Sequence, residues 1–117
     1  MIIRRYDDHM AEPAHSGTIR AHEVLPFGGD LQTPFHSAWG FLSQAGALEP
    51  HAHHHDEIYI IFEGQGRVMV NGETAAVGCG DIVEIPSGQM HNIENLTDGR
   101  LLWLAFWWDH KDVPKEE

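Results

Sequence analysis

From residue 57 to residue 108 the chain has no stretch of convincing helical period. Glycines at 64, 66, 72, 78, 80, 88 and 99 cut it into short runs. Those runs are dense in β-branched and aromatic residues, which suit a pleated, half-buried surface. Glu57–Phe62 reads Glu-Ile-Tyr-Ile-Ile-Phe. Arg67–Val70 leads into Asn71-Gly72, a two-residue hairpin signal, and Thr74–Val77 is the return strand. Asp81–Ile85 alternates apolar residues up to Pro86, and His91–Asn95 and Leu101–Trp108 follow. Upstream, Ser37–Gln44 carries Trp39, Phe41 and Leu42. Many short strands with glycine turns predict an all-β sandwich or barrel.

At 117 residues the chain suits one domain. Its β-rich body covers about 37–108. The segment 1–36 is rich in proline, glycine and polar residues. It reads as a strand or two joined by long loops and packed over the domain surface. The acidic tail, 111–117, reads as frayed.

Eighteen acidic residues stand against seven basic ones, a net charge of −11. Nucleic acid is a poor partner for such a chain, because phosphate binding needs clustered Lys and Arg. An anionic membrane surface is disfavoured for the same reason, and no apolar run approaches the ~18 residues of a membrane span. No signal peptide is apparent after Arg4 and Arg5. Cys79 is the single cysteine, so no intramolecular disulfide forms, which fits a reducing cytoplasm.

The sharpest oddity is ten histidines, four of them (His51, His53, His54 and His55) within five residues. On an extended segment His51 and His53 share a face. Glu57 opens the next strand, and a turn can return its carboxylate beside the imidazoles. Such a set suits Fe, Mn, Ni, Cu, Co or Zn, and without thiolates it does not read as a closed structural zinc site. His91, delivered by the Pro86-Ser87-Gly88 turn, is the best candidate for a fourth ligand. Spacing alone leaves a second reading open, in which these histidines are solvated loop residues.

The same residues resemble the cupin superfamily, in particular its small single-domain members. The first cupin motif matches Gly46, His51-Ala52-His53, Glu57 and Gly64; the second matches Gly80, Pro86-Ser87-Gly88, His91 and Asn95. One departure is a loop between Gly46 and His51 that is one residue short. The resemblance implies a double-stranded β-helix (jelly-roll) barrel. It also implies one divalent metal ion held by His51, His53, Glu57 and His91, and it implies a dimer.

Strand parity puts Tyr59 and Ile61 on the face of Glu57, so Tyr59 either hydrogen-bonds a ligand or belongs to the core. Ile93 and Asn95 follow His91 inward, although Asn95 can instead fix a turn. His36 lies where it could reach the barrel mouth, or it is a surface residue. Tyr59 and His36 are the candidate catalytic, proton-transferring groups; Glu63 and Glu84 lie too far along their strands. His54 and His55 read as loop or rim residues, and His9, His15, His22 and His110 as having no role in metal binding. Arg20 and Arg67 are candidates to hold an anion, or ordinary surface residues. Gly64-x-Gly66 precedes no helix, which argues against nucleotide binding. Leu101–Trp108 is apolar on both parities and, with Trp39, Phe41 and Phe106, calls for a cover such as a second subunit.

Four protein ligands leave about two positions open on an octahedral ion. One function that follows is a metal-dependent oxygenase, isomerase or lyase acting on a keto acid, sugar acid or diol. The other is a non-catalytic module that binds a small carboxylate or sugar through the metal.

Overall fold

The computed structural model describes residues 1–25 and 31–111; the tail at 112–117 lies outside the described residues. A short 3-10 turn, Asp8–Met10, precedes nine strands: β1 (Glu12–Ala14), β2 (Ile19–Leu25), β3 (His36–Leu42), β4 (His55–Glu63), β5 (Gln65–Val70), β6 (Glu73–Gly78), β7 (Ile82–Ile85), β8 (His91–Asn95) and β9 (Leu101–Asp109). They form a six-stranded sheet in the order β1-β2-β3-β9-β4-β7 and a three-stranded sheet in the order β6-β5-β8. Every pairing is antiparallel. The result is a jelly-roll-like all-β sandwich. No helix among the described residues is long and apolar enough to cross a membrane.

The hairpin signal works as read. Asn71 and Gly72 both have positive φ, 51° and 83°, which a tight β5–β6 turn matched to strand twist requires. Asn95 is buried, and it takes the turn-fixing role. Its amide donates to the carbonyls of Leu42, Ser43 and Gly99, and its carbonyl accepts from the Thr97 N–H.

Apolar alternation sets the core. Leu42, Leu48, Tyr59, Ile61, Ile85, Ile93, Leu101 and Trp103 are buried between the sheets. On the inner face of the large sheet the register forms cross-strand rows. One runs His36, Trp107, Glu57, Ile85; the next Glu23, Ala38, Ala105, Tyr59; the third Ala21, Gly40, Trp103, Ile61. Gly40 makes room for Trp103, since a β-carbon there would lie 2.7 Å from the indole.

The N-terminal segment supplies the two strands expected of it but places them differently. β1 and β2 are hydrogen-bonded strands at the edge of the large sheet, not a covering layer, because Ile19 of β2 packs into the common core. The outer face of β9 is covered in part by the chain itself. Ala11, Phe41 and Leu102 form a small second core with Tyr6 and Trp39 against it, and Phe35 meets Phe106 edge-on.

Gly40→Ala is expected to destabilise the protein by about 1–3 kcal/mol, the usual cost of overpacking, read as a lowered thermal midpoint. An unchanged midpoint would mean that the Trp103 indole has space to move.

Candidate metal centre

Two reciprocal backbone hydrogen bonds join His51 to His91, at 3.1 Å and 2.9 Å. They belong to an irregular run at 46–51 lying antiparallel along β8, with further bonds from Leu48 to Ile93 and from Asn95 to Gly46. His51 and His91 therefore stand opposite each other on the smaller sheet. Glu57 faces them from β4 of the larger sheet, and His53 sits in the turn between. The Gly88 N–H donates to the His53 carbonyl and steadies that turn.

Three of the four side chains converge, and the fourth, Glu57, reaches two of them. Ring nitrogens of His51, His53 and His91 all lie within 4.8 Å of one another. Glu57 Oε1 is 3.1 Å from His53 Nε2 and 3.4 Å from His91 Nε2. Two rings are oriented by main chain: His51 Nδ1 donates to the Glu49 carbonyl at 3.0 Å, and His91 Nδ1 to the Gln89 carbonyl at 2.9 Å. With the proton on Nδ1, Nε2 keeps its lone pair for the cage, the second-shell arrangement typical of ligating histidines. His91 Nε2 is buried without a hydrogen-bond partner, which is costly unless something else satisfies it. Three imidazoles and one carboxylate also suit a divalent transition metal. The residues thus fit an ion, and the His51, His53 and His91 cluster could hold one.

Electrostatics follow from this packing. Burial favours the neutral imidazole of His51 and lowers its pKa. The hydrogen bond to Glu57 raises that of His53. For Glu57 burial pushes the pKa up, but the hydrogen bond from His53 and the close approach of both imidazoles outweigh it and hold the carboxyl below its ordinary range. Glu57 is therefore a carboxylate at neutral pH.

A cavity of about 380 Å³ opens beside Glu57 and is walled by Tyr59, Trp103, Trp107, Ala38, Ala105 and Glu23 among others. Tyr59 lies with its ring 6.3 Å from His91 and is 3% exposed. His36 is exposed and stacks flat on Trp107 at 5.6 Å, so it flanks the site without joining the cage. His54 and His55 stay outside the cage: the first lies beside Ser87 and His110, the second beside Asp109. The two anion candidates are engaged elsewhere, Arg67 with Glu94 and Arg20 with the Ala11 carbonyl.

His15, which the sequence reading left outside the site, lies with its ring 4.3 Å from that of His51 and lines the cavity. It occupies the β1–β2 turn, where His15, Ser16 and Gly17 all have positive φ. The turn residues are visible in the sequence, but the docking of this hairpin against the histidine cage is not. Glu23 was missed for the same reason.

A family model described as the cupin domain (Cupin_2) matches residues 41–107. A cupin 2 conserved barrel domain protein from Salinispora arenicola superposes with a TM-score of 0.83 at 28% identity, covering 93% of this chain and 89% of that one. A predicted oxalate decarboxylase from Thermotoga maritima superposes with a TM-score of 0.71 at 26% identity, covering 79% and 81%. Among curated proteins, acetate kinase EutQ of Salmonella typhimurium is 33% identical over 69 residues, which are 59% of this chain and 30% of that protein.

The protein is expected to take up one transition-metal ion per chain by elemental analysis. Glu57→Ala and His91→Ala should each weaken uptake by at least about tenfold, whereas His54→Ala should leave it unchanged. An equal loss in His54→Ala would place the ligands in a different register. Affinity should also fall as pH drops through the histidine range near ~6.5, because metal and protons compete for the rings. The hydrogen bond to Glu57 that raises the pKa of His53 favours its protonated form and adds to that loss. Titrations at pH 8 and pH 6 check the sign.

Proposed function

The chain belongs to the cupin domain family, and on that footing we propose that it is a metal-dependent enzyme acting on a small oxygen-rich molecule. In this reading His51, His53, Glu57 and His91 bind one divalent ion of Fe, Mn, Ni, Co, Cu or Zn, and the substrate is a keto acid, sugar acid or diol. The reaction is of the oxygenase, isomerase or lyase kind. The observation that carries the reading is the buried His91 Nε2, without a hydrogen-bond partner, beside two further imidazoles and the Glu57 carboxylate. A bound ion supplies Lewis acidity and coordination positions for oxygen donors.

The chain's own residues supply the rest. The Glu57 carboxylate offsets positive charge at the cage. Burial, with the Glu57 charge beside it, holds the Tyr59 phenol well above its ordinary pKa, so Tyr59 keeps its proton at neutral pH. It can donate that proton in a hydrogen bond to a substrate oxygen in the cavity. His36, on Trp107 at the edge, is the second proton-carrying group and would exchange with solvent. Apolar walls from Trp103 and Ala105 limit the water that shares the cavity.

The outer face of the large sheet supports a homodimer. Phe62 is 47% exposed there, beside Trp39 at 5.0 Å, and Leu104, Phe106 and Trp108 are only half-buried. A cytoplasmic location rests on the one free, exposed cysteine, Cys79.

Calorimetry should show small carboxylate or vicinal-oxygen compounds binding the metal-loaded protein but not the metal-free form. Equal affinity in both states would refute the metal-centred mechanism. Tyr59→Phe should weaken that binding about two- to tenfold, the worth of one hydrogen bond, with metal content intact. Light scattering at micromolar concentration should give a dimer mass, and Phe62→Glu should shift it toward monomer; a monomer in the unaltered protein would overturn the dimer.

A further inference from the structure

The run at 46–51 lies along β8, but not all of its donors go there. The N–H groups of Leu48 and His51 bond to β8, and Pro50 has no N–H to give. The N–H of Glu49 goes elsewhere. It donates to Thr18 Oγ1 at 3.1 Å, in the turn that joins β1 to β2. The Thr18 hydroxyl in turn donates to the His15 carbonyl at 2.7 Å. The Glu49 carbonyl accepts from His51 Nδ1 at 3.0 Å. One residue thus takes its position from the turn and passes it on to a cage histidine. Pro50 narrows the choice further, because the residue before a proline is biased to extended backbone. With its N–H taken, Glu49 has little freedom to swing its carbonyl away from His51.

The turn makes a second contact with the same histidine. The His15 ring lies 4.3 Å from that of His51, with the planes 35° apart. That separation equals the one between His51 and His91 inside the cage, yet His15 is not among the histidines whose ring nitrogens converge. It packs on a candidate ligand without being one. The backbone that carries it is strained. His15 and Ser16 take positive φ, 49° and 58°, ahead of Gly17 at 79°, a region that residues with a β-carbon avoid. Such a conformation persists only where the surroundings hold it. Here the Gly17 N–H bonds to the Ala14 carbonyl, and the N–H and hydroxyl of Thr18 both bond to the His15 carbonyl. The Thr18 hydroxyl therefore serves the turn and Glu49 together.

Resting on the metal-centred reading above, we propose that the β1–β2 turn is a clamp on His51, with Thr18 and His15 as positioning residues of the metal centre. Thr18 fixes Glu49, whose carbonyl keeps the His51 proton on Nδ1 and so leaves Nε2 free to ligate. His15 packs on the ring and limits its rotation. An imidazole restrained in this way loses less freedom when an ion binds, so the ion binds more tightly.

The test uses the full chain, with Co²⁺ as the probe metal. Thr18→Val removes the hydroxyl at nearly constant volume and should weaken Co²⁺ binding about three- to tenfold. Thr18→Ser keeps the hydroxyl and should stay within about twofold of the unaltered protein. His15→Ala should weaken binding about two- to fivefold. Thr33→Val removes a comparable hydroxyl bond, to the Phe35 carbonyl, and should leave Co²⁺ affinity unchanged. Nitrogen NMR of the metal-free protein at mildly alkaline pH gives a readout that general loosening does not move. His51 should carry its proton on Nδ1, and Thr18→Val should shift population to the Nε2–H form. Unchanged Co²⁺ affinity in Thr18→Val would overturn the proposal. So would a loss matched by Thr18→Ser or by Thr33→Val, or a His51 tautomer that ignores Thr18→Val. Unchanged affinity in His15→Ala would overturn the part assigned to that ring. If the unaltered protein takes up no Co²⁺, the metal-centred reading fails, and the His51 tautomer in Thr18→Val then decides by itself whether the clamp exists.

Discussion

The reciprocal backbone pair between His51 and His91 is the constraint on which the site depends. It fastens an irregular run to β8 and so brings together two histidines far apart in the chain, one in that run and one on the strand. Each ring is then turned by its own main chain, because Nδ1 donates to the carbonyl two residues earlier. Position and tautomer are settled by backbone groups before any ligand arrives. Glu57 needs only the regular β4 register to meet them, since its neighbours in the row are Trp107 and Ile85. Preorganisation of this kind keeps a cage from collapsing when it is empty of protons or metal.

Packing explains why a cavity exists beside the cage. The inner face of the large sheet alternates very large and very small residues. Trp103 fills the space above Gly40, where a β-carbon would collide with it, while Ala38 and Ala105 leave the neighbouring row open. The same sheet curls its N-terminal edge toward the cage, so β1 and β2 become walls of the cavity. Charge then divides the cavity. The Glu57 carboxylate is balanced by two histidines, but Glu23 and Glu12 on the far wall face no cation among its described lining residues.

Much of the strand pattern was legible because its causes are local. Asn71-Gly72 specifies its turn through two positive φ angles, and the Glu57–Phe62 alternation specifies which side chains face inward. The expectation for Asn95 was divided between pocket and turn, and three carbonyl acceptors show the turn. The N-terminal segment was read as a strand or two, which it is, but its place in the sheet was not legible because it lacks periodicity: its strands are positioned by pairing with β3 rather than by their own pattern. His15 and Glu23 were passed over on the same account. The doubly apolar β9 called for a cover, and part of that cover is Tyr6, Ala11 and Phe35 of the same chain.

The sequence by itself determined the all-β class, the hairpin, the inward face of β4 and β8 and the histidines of the cage, His51, His53 and His91. Strand period, turn chemistry and motif spacing act over a few residues and are written directly in the chain. Only the tertiary structure decided that β1 and β2 line the cavity, that His15 lies against His51, and that Glu23 faces Tyr59 across two alanines. Those relations depend on register between strands far apart in the chain and on the curl of the sheet. Both are set by how the whole core packs, which no local stretch of residues encodes.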